Sequence, residues 1–385
     1  MVVLFLTKFS TPEILGMYSF NLAVITPINM FFSFQLKAQY ASDARNQFSG
    51  SEYFSQRFSL GVLASIISLV VLAARGDYLL FVMGFFLVFQ QLFDSFSDLI
   101  YGYYIKNNYV DILGRSLIFK SLLITIGSFV AIKMFSLGVY FPIALFSASL
   151  VVLVFYDRRM SSGIINVDFN KLYNRDLIKK VFPLGVVMGL ISLKSNFQKY
   201  LIESFLGYEQ LAVFAVLTYF LVLGSLLYKA VVDGFFPYFV KYYNDGNIKK
   251  FWMLCYRFSI VVIFVSVIFM ALSTFAGKDV LSFFYSKDYA MYQDVLISIS
   301  YASLPIYLNA VLGSCLTSMQ KYRIQTYGVA VDLIFGIIFG FYFVPLYGII
   351  GAVYAMLVGA IFRFFLLFYF LKKYLDEKAK GSSYS

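Results

Sequence analysis

Histidine is absent from the 385 residues of this chain, charged residues make up only 13%, and there are two cysteines. Without histidine there is no Ser-His-Asp or Cys-His centre, no imidazole general base and no His-ligated metal site. Cys255 and Cys315 both fall in apolar stretches, where a free cysteine behaves as a small buried hydrophobe, so neither a disulfide framework nor a zinc site follows. A basic n-region, the mark of a signal peptide, is missing too. Met1 runs straight into Val-Val-Leu-Phe-Leu and reaches Lys8 after a stretch too short to span a bilayer. Most enzyme classes are excluded, and no cofactor is implied.

What the chain has in excess is apolar surface. It is 61% hydrophobic with a mean hydropathy of +0.80, well above the roughly 45–50% apolar content of soluble domains. The net charge is +11, which suits nucleic acid or an anionic membrane surface; the hydropathy leaves only the second. A spanning helix needs about 20 mainly apolar residues. Eleven segments meet that standard, at 15–36, 58–74, 79–104, 116–135, 138–156, 181–205, 211–236, 256–275, 293–317, 324–345 and 348–371. The longest connection between them, 157–180, is too short for an inserted catalytic domain.

Lysine and arginine gather on the cytoplasmic side of membrane proteins. Alternate connections here carry 21 basic residues on one side and five on the other (Lys8, Arg75, Lys133, Lys278 and Lys287), which predicts a cytoplasmic C-terminus. Eleven spans then place the N-terminus outside, and the short apolar start reads as the stub of a first helix that is largely missing.

Internal repetition divides the chain. Arg57-Phe58-Ser59 and Arg257-Phe258-Ser259 each open an apolar helix, and Pro12-Glu13-Ile14-Leu15 and Tyr208-Glu209-Gln210-Leu211 precede helices at nearly the same offset. Transporters are often built from two such related halves. The expected fold is all-α and polytopic: two pseudo-symmetric six-helix bundles around a central cavity, the first lacking most of its opening helix. The expected organisation is an N-terminal bundle over 1–156, a cytoplasmic linker over 157–180, a C-terminal bundle over 181–372 and a cytoplasmic tail over 373–385.

Three stretches carry a resemblance across the whole chain. Ser10-Thr-Pro-Glu-Ile-Leu-Gly-Met-Tyr-Ser19 is an acidic turn followed by Gly-x-Tyr; Phe205-Leu-Gly-Tyr-Glu-Gln-Leu-Ala212, with Pro237 and Tyr242-Tyr-Asn-Asp-Gly246 beyond it, is its equivalent in the second half; Tyr347-Gly-Ile-Ile-Gly-Ala-Val-Tyr-Ala355 is a glycine-rich helix start. In these the chain resembles the polysaccharide flippases, the O-antigen and capsule repeat-unit translocases of the multidrug/oligosaccharidyl-lipid/polysaccharide exporter (MOP) superfamily. The resemblance implies translocation of undecaprenyl-pyrophosphate-linked oligosaccharide from the cytoplasmic to the periplasmic leaflet by alternating access. It also implies location in the inner membrane, contact with membrane lipids, and partnership with a polysaccharide polymerase and a chain-length regulator.

Charge inside a spanning helix is costly and marks candidate functional groups. Ten such residues are embedded: Lys120, Lys194, Lys199, Lys229 and Arg363 against Asp94, Asp98, Glu203, Asp233 and Asp332. Lys194 falls mid-helix with Gln198 one turn on, where an ammonium could hold a pyrophosphate as a point charge. Lys199, on a face shared with Asn196, and Arg363 are further candidates for substrate binding, although Lys199 with Glu203 and Arg363 with Asp332 also read as structural ion pairs. Gln91, Asp94 and Asp98 recur at i, i+3 and i+7, a polar stripe suited to lining water, and Asp94, Asp98 and Asp332 are candidates for ion coupling. Lys229 and Asp233 pair within one turn, and Lys120 is expected to snorkel to the interface.

Three other readings compete. A multidrug exporter of the same superfamily would take organic cations, which five embedded bases disfavour. A polymerase would carry a large external loop, which this chain lacks, and a membrane scaffold for glycan assembly would not transport at all.

Overall fold

The computed structural model describes residues 2–43, 45–134, 141–161, 167–169 and 172–382. Every regular element among them is helical. The α-helices are α1 (Val2–Phe9), α2 (Pro12–Ser33), α3 (Leu36–Ser42), α4 (Gly50–Ala73), α5 (Tyr78–Lys106), α6 (Val110–Met134), α7 (Phe141–Val151), α8 (Arg158–Met160), α9 (Arg175–Asn244), α10 (Ile248–Phe284), α11 (Gln293–Ser318) and α12 (Tyr322–Ser382). A π-helical turn, Val152–Asp157, joins α7 to α8, and a 3-10 turn, Lys287–Tyr292, leads into α11.

Nine of the described helical stretches are long and apolar enough to cross a membrane. Two of them contain a break: α9 at Gly207, with φ 82°, and α12 at Gly348, with φ 59°. Both angles lie in the left-handed region that glycine enters without a Cβ clash. Each long helix is therefore two membrane-length helices, and among the described residues eleven membrane-length helices stand where the eleven spans are expected, beside the short α1. Several boundaries differ from the hydropathy reading. The second span starts at Gly50 rather than near 58, because Ser49 and Glu52 form a capping box in which the Ser49 side chain accepts from the Glu52 N–H and the Glu52 carboxylate accepts from the Ser49 N–H. Thr11 and Pro12 start α2, and Asp77 caps α5.

The chain divides into two compact units, Met1–Asn196 and Phe197–Ser385. In the first, a buried cluster of Tyr40, Tyr53, Phe54, Leu99, Tyr104, Leu177 and neighbours packs the end where α3, α4 and α5 meet the start of α9. The α3–α4 connection is fixed there by Asp43, whose carboxylate accepts from the Gln47 and Phe48 N–H groups at 3.0 and 3.2 Å and from the Tyr53 hydroxyl at 3.2 Å. Burial pushes the Asp43 carboxyl up, but those donors and Lys106 outweigh it and hold the group below the usual carboxylate range. One face of α4 grips the segment leading to α9. Ser55 accepts from the Asp168 N–H, Ser59 donates to the Leu172 carbonyl, and Glu52 and Gln56 accept from the side chain and backbone of Asn174.

Lipid tails are as apolar as the helix faces, so packing and interhelical hydrogen bonds hold such bundles together. In the first unit the Asn21 amide donates to the Leu80 carbonyl at 3.1 Å. In the second, Asn309 donates to the Ala360 carbonyl at 2.7 Å, Tyr307 to the Leu221 carbonyl at 3.0 Å, and Ser273 to Ser300 at 2.9 Å. Cys255 and Cys315 are buried free cysteines whose sulfurs lie 2.9 Å apart between α10 and α11.

Candidate functional site

The first unit encloses a cavity of about 470 Å³ lined by charged side chains from four helices. On α5 the stripe of Gln91, Asp94 and Asp98 faces it as the spacing predicts, together with Ser95 and Tyr101. Lys37 of α3, Arg57 of α4 and Lys120 of α6 complete the charged lining. Three cations thus face two carboxylates.

Arg57 reaches the cavity because the capping box starts α4 two turns before it. Its guanidinium is almost fully buried and donates from Nε to the Ser95 carbonyl at 2.9 Å and from Nη1 to the Ser33 carbonyl at 3.2 Å. Ser33 closes α2, where carbonyls lack intrahelical partners, so Arg57 caps one helix from another. Nη2 lies 3.4 Å from Asp98 Oδ2.

Lys37 arrives by a different device. Phe34 and Gln35 take φ 45° and 52°, two consecutive non-glycine residues in the left-handed region, a conformation that costs energy and concentrates at functional sites. The turn folds α3 onto α5 against Gly102, where a Cβ would stand 2.9 Å from the Lys37 carbonyl oxygen. Lys37 Nζ then donates to Asp98 Oδ1 at 2.9 Å, 5.6 Å from the centre of the Tyr101 ring. Asp98 therefore holds one cation on each oxygen. Asp94 is held between Lys120, which donates to Oδ1, and Gln90, which donates to Oδ2 at 2.6 Å.

This arrangement divides the roles. Arg57 is locked by two carbonyls as well as its carboxylate, whereas the Asp98 and Lys37 side chains are 41% and 35% exposed. A cation or proton can compete at Asp98, and an anionic oxygen can compete for Lys37; either exchange changes the net charge of a site poorly screened by water.

The other candidates lie outside this cavity. Lys194 is half-buried on the first unit's part of α9, and the nearby Asn196 amide donates to the Ser192 carbonyl at 2.9 Å. Gln198 and Lys199 belong to the second unit, where Gln198 donates to the Gly336 carbonyl at 3.0 Å. Arg363 Nη1 lies 3.6 Å from Asp332 Oδ2, the ion pair that was one of two readings of these residues. Lys229 is exposed on α9, and the Asp233 side chain lies outside the described residues. Lys120 does not snorkel. It points inward to Asp94, because its helix presents that face to α5 rather than to the interface.

Lys37 and Arg57 fall just outside the spans expected over 15–36 and 58–74, yet both line the cavity, so the charged interior is not balanced at the five bases and five acids read from the sequence. The capping signature Ser49-x-x-Glu52 was available to place Arg57 inside a helix. Nothing comparable announces the left-handed turn that delivers Lys37.

Eleven membrane-length helices with a polar, ion-paired interior define a multi-pass membrane protein with the fold of the MOP superfamily of transporters. The chain superimposes on a multidrug resistance MATE family transporter of that superfamily in an inward-facing conformation, with a TM-score of 0.75 and 12% identity over 99% of this chain and 94% of that one. It superimposes on the lipid II flippase MurJ, inward closed, with a TM-score of 0.77 and 16% identity over 99% and 87%. In sequence it is similar to the capsular polysaccharide biosynthesis protein CapF of Staphylococcus aureus, 26% identical over 380 residues that cover 97% of this chain and 94% of that protein. No family model matches the chain. The resemblance read from the sequence agrees with these likenesses in two respects, the fold and a relative named for capsular polysaccharide biosynthesis.

Proposed function

We propose that the chain is a flippase that moves undecaprenyl-pyrophosphate-linked oligosaccharide repeat units from the cytoplasmic to the outer leaflet by alternating access, with its C-terminus cytoplasmic. The observation that carries this reading is the cavity of the first unit, where Lys37, Arg57 and Lys120 outnumber Asp94 and Asp98. A net positive, membrane-embedded cavity suits a pyrophosphate-bearing substrate. The end-to-end likeness to CapF favours a capsule repeat unit over an O-antigen unit. Lys194, Gln198 and Lys199 are proposed as further substrate contacts, and Arg363 as one that a phosphate must win from Asp332. Asp94, Asp98 and Asp332 are proposed to read an ion gradient that drives transport. A polysaccharide polymerase and a chain-length regulator are the proposed partners.

The test is reconstitution of the purified protein alone in liposomes with a fluorescent undecaprenyl-pyrophosphate oligosaccharide. Its exposure to a membrane-impermeant quencher should change with time faster than in protein-free vesicles. Equal rates would count against the flippase and in favour of a scaffold. A drug-exporter reading has the MATE fold on its side, but the same excess of positive charge opposes an organic cation; efflux of such a cation without flipping would favour it.

A further inference from the structure

The geometry points to Asp157 as a proton-binding site of the first unit, filled from the charged cavity through the hydroxyls of Tyr101 and Ser116. Asp157 ends the π-helical turn Val152–Asp157 and is 0% exposed. Hydropathy reading placed it at the start of a loop. Its Oδ1 accepts from Ser116 Oγ at 2.6 Å, and Ser116 Oγ is in turn 2.8 Å from the hydroxyl of Tyr101, a residue that lines the cavity. The chain of three oxygens is continuous from cavity to carboxyl.

Oδ2 has no hydrogen-bond partner among the described residues, and neither has the buried Ser97 Oγ that faces the same carboxyl. No cation of the described residues lies within ion-pair distance of Asp157. The groups that face it are Tyr101, Tyr104 and Asp94 from α5 and Lys120 from α6, with Tyr156 beside it in its own turn and Arg158 exposed after it; α7 contributes no titratable group. Lys120 is already paired with Asp94, so their fields largely offset at this distance. Two hydroxyls, Ser116 and Ser97, face the carboxyl and no cation among the described residues pairs with it, and a carboxylate buried in this way is avoided by taking up a proton.

The backbone holds the group in place. The Asp157 carbonyl accepts from the Tyr104 hydroxyl at 3.2 Å, the Ser161 hydroxyl at 2.7 Å and the Ser161 N–H at 3.0 Å. π-Helical turns are rare and occur often at functional positions. In the loading step Ser116 passes its proton to Oδ1, Tyr101 passes its own to Ser116, and Tyr101 takes one from water in the cavity. Three O–H bonds break and three form, and the carboxyl gains one proton. Its service to transport rests on the flippase reading; the proton site itself does not.

Infrared spectroscopy of the full-length protein in lipid nanodiscs, exchanged from H2O to D2O, tests this directly. A carboxylic-acid C=O band that shifts on deuteration is expected in the wild type at neutral pH and should be missing from Asp157→Asn. Tyr101→Phe should keep the band and slow its deuteration at least tenfold. If Asp157→Asn does not fold, Asp94→Asn, Asp98→Asn and Asp332→Asn assign the band by each retaining it. A wild type without the band, a band that survives in Asp157→Asn, or its loss in one of the other three overturns the site. Wild-type exchange in Tyr101→Phe overturns the relay. In liposomes, flipping stimulated by a pH gradient should fall to the ungradiented rate in Asp157→Asn; absence of any flipping by the wild type would defeat the transport reading while leaving the infrared result standing.

Discussion

Arg57-Phe58-Ser59 in the first unit and Arg257-Phe258-Ser259 in the second are the same tripeptide in the same place in the helix order, yet their side chains do different things. Arg57 is buried and holds the Ser33 and Ser95 carbonyls and Asp98, while Arg257 is exposed. Ser59 donates to the backbone of the segment that leads to α9, whereas Ser259 bonds back to the Cys255 carbonyl of its own helix. The first unit gathers three cations and two carboxylates around one cavity; in the second, Arg363 pairs with Asp332. Repetition has kept the helices and not the chemistry, so the candidate site lies where the two halves differ.

The largest expected effect on stability is at Arg57. Arg57→Ala leaves two backbone carbonyls without their donor and Asp98 with Lys37 alone, and should cost about 3 kcal/mol in thermal or denaturant unfolding in detergent, as breaking a buried hydrogen-bonded pair does. Arg257→Ala should cost less than about 0.5 kcal/mol, the usual range for an exposed site. Equal losses would erase the distinction between the halves. Next comes Arg363→Met, which removes one long contact to Asp332 and should cost about 1–2 kcal/mol; a double-mutant cycle with Asp332→Asn should return a smaller coupling than the cycle of Arg57 with Asp98.

Asp43 gives a pH signature confined to the first unit. Its folded-state carboxyl titrates below the unfolded value of 3.8, so its stabilisation is fully present above that value and is lost as pH falls through the folded one. Asp43→Asn should lose about 1 kcal/mol at neutral pH, as loss of a backbone cap does. The gap from wild type should then close in acid. A constant gap down to pH 2 would contradict the assignment. The smallest effects should be symmetric: Asn21→Ala and Asn309→Ala each remove one interhelical bond to a carbonyl and should cost about 0.6 kcal/mol apiece. A large difference between these two would mean that the halves also diverge in how they are held together.

The parts of this molecule that were legible in its sequence are those that lipid selects directly. Hydropathy found the spans of the described residues because each must match the bilayer, and the Gln91, Asp94 and Asp98 stripe stood out because polar groups at helical spacing on an apolar helix have to face inward. Charges near helix ends were not legible in this way. Arg57 and Lys37 sit where a base is equally at home in a loop, and only a cap at Ser49 and a strained turn at Phe34 and Gln35 decide that they point into the bundle. Asp157 was hidden for a related reason, since a π-helical turn has no sequence period of its own and continues α7 past the last apolar residue.

The central claim is that the first unit's charged cavity does the work of transport. Initial flipping rates of Arg57→Gln and Arg257→Gln, measured side by side in liposomes at equal reconstituted protein, test it most directly. The account predicts at least a tenfold loss in Arg57→Gln and a rate within twofold of wild type in Arg257→Gln. A wild-type rate in Arg57→Gln, or an equal loss in both, would contradict it.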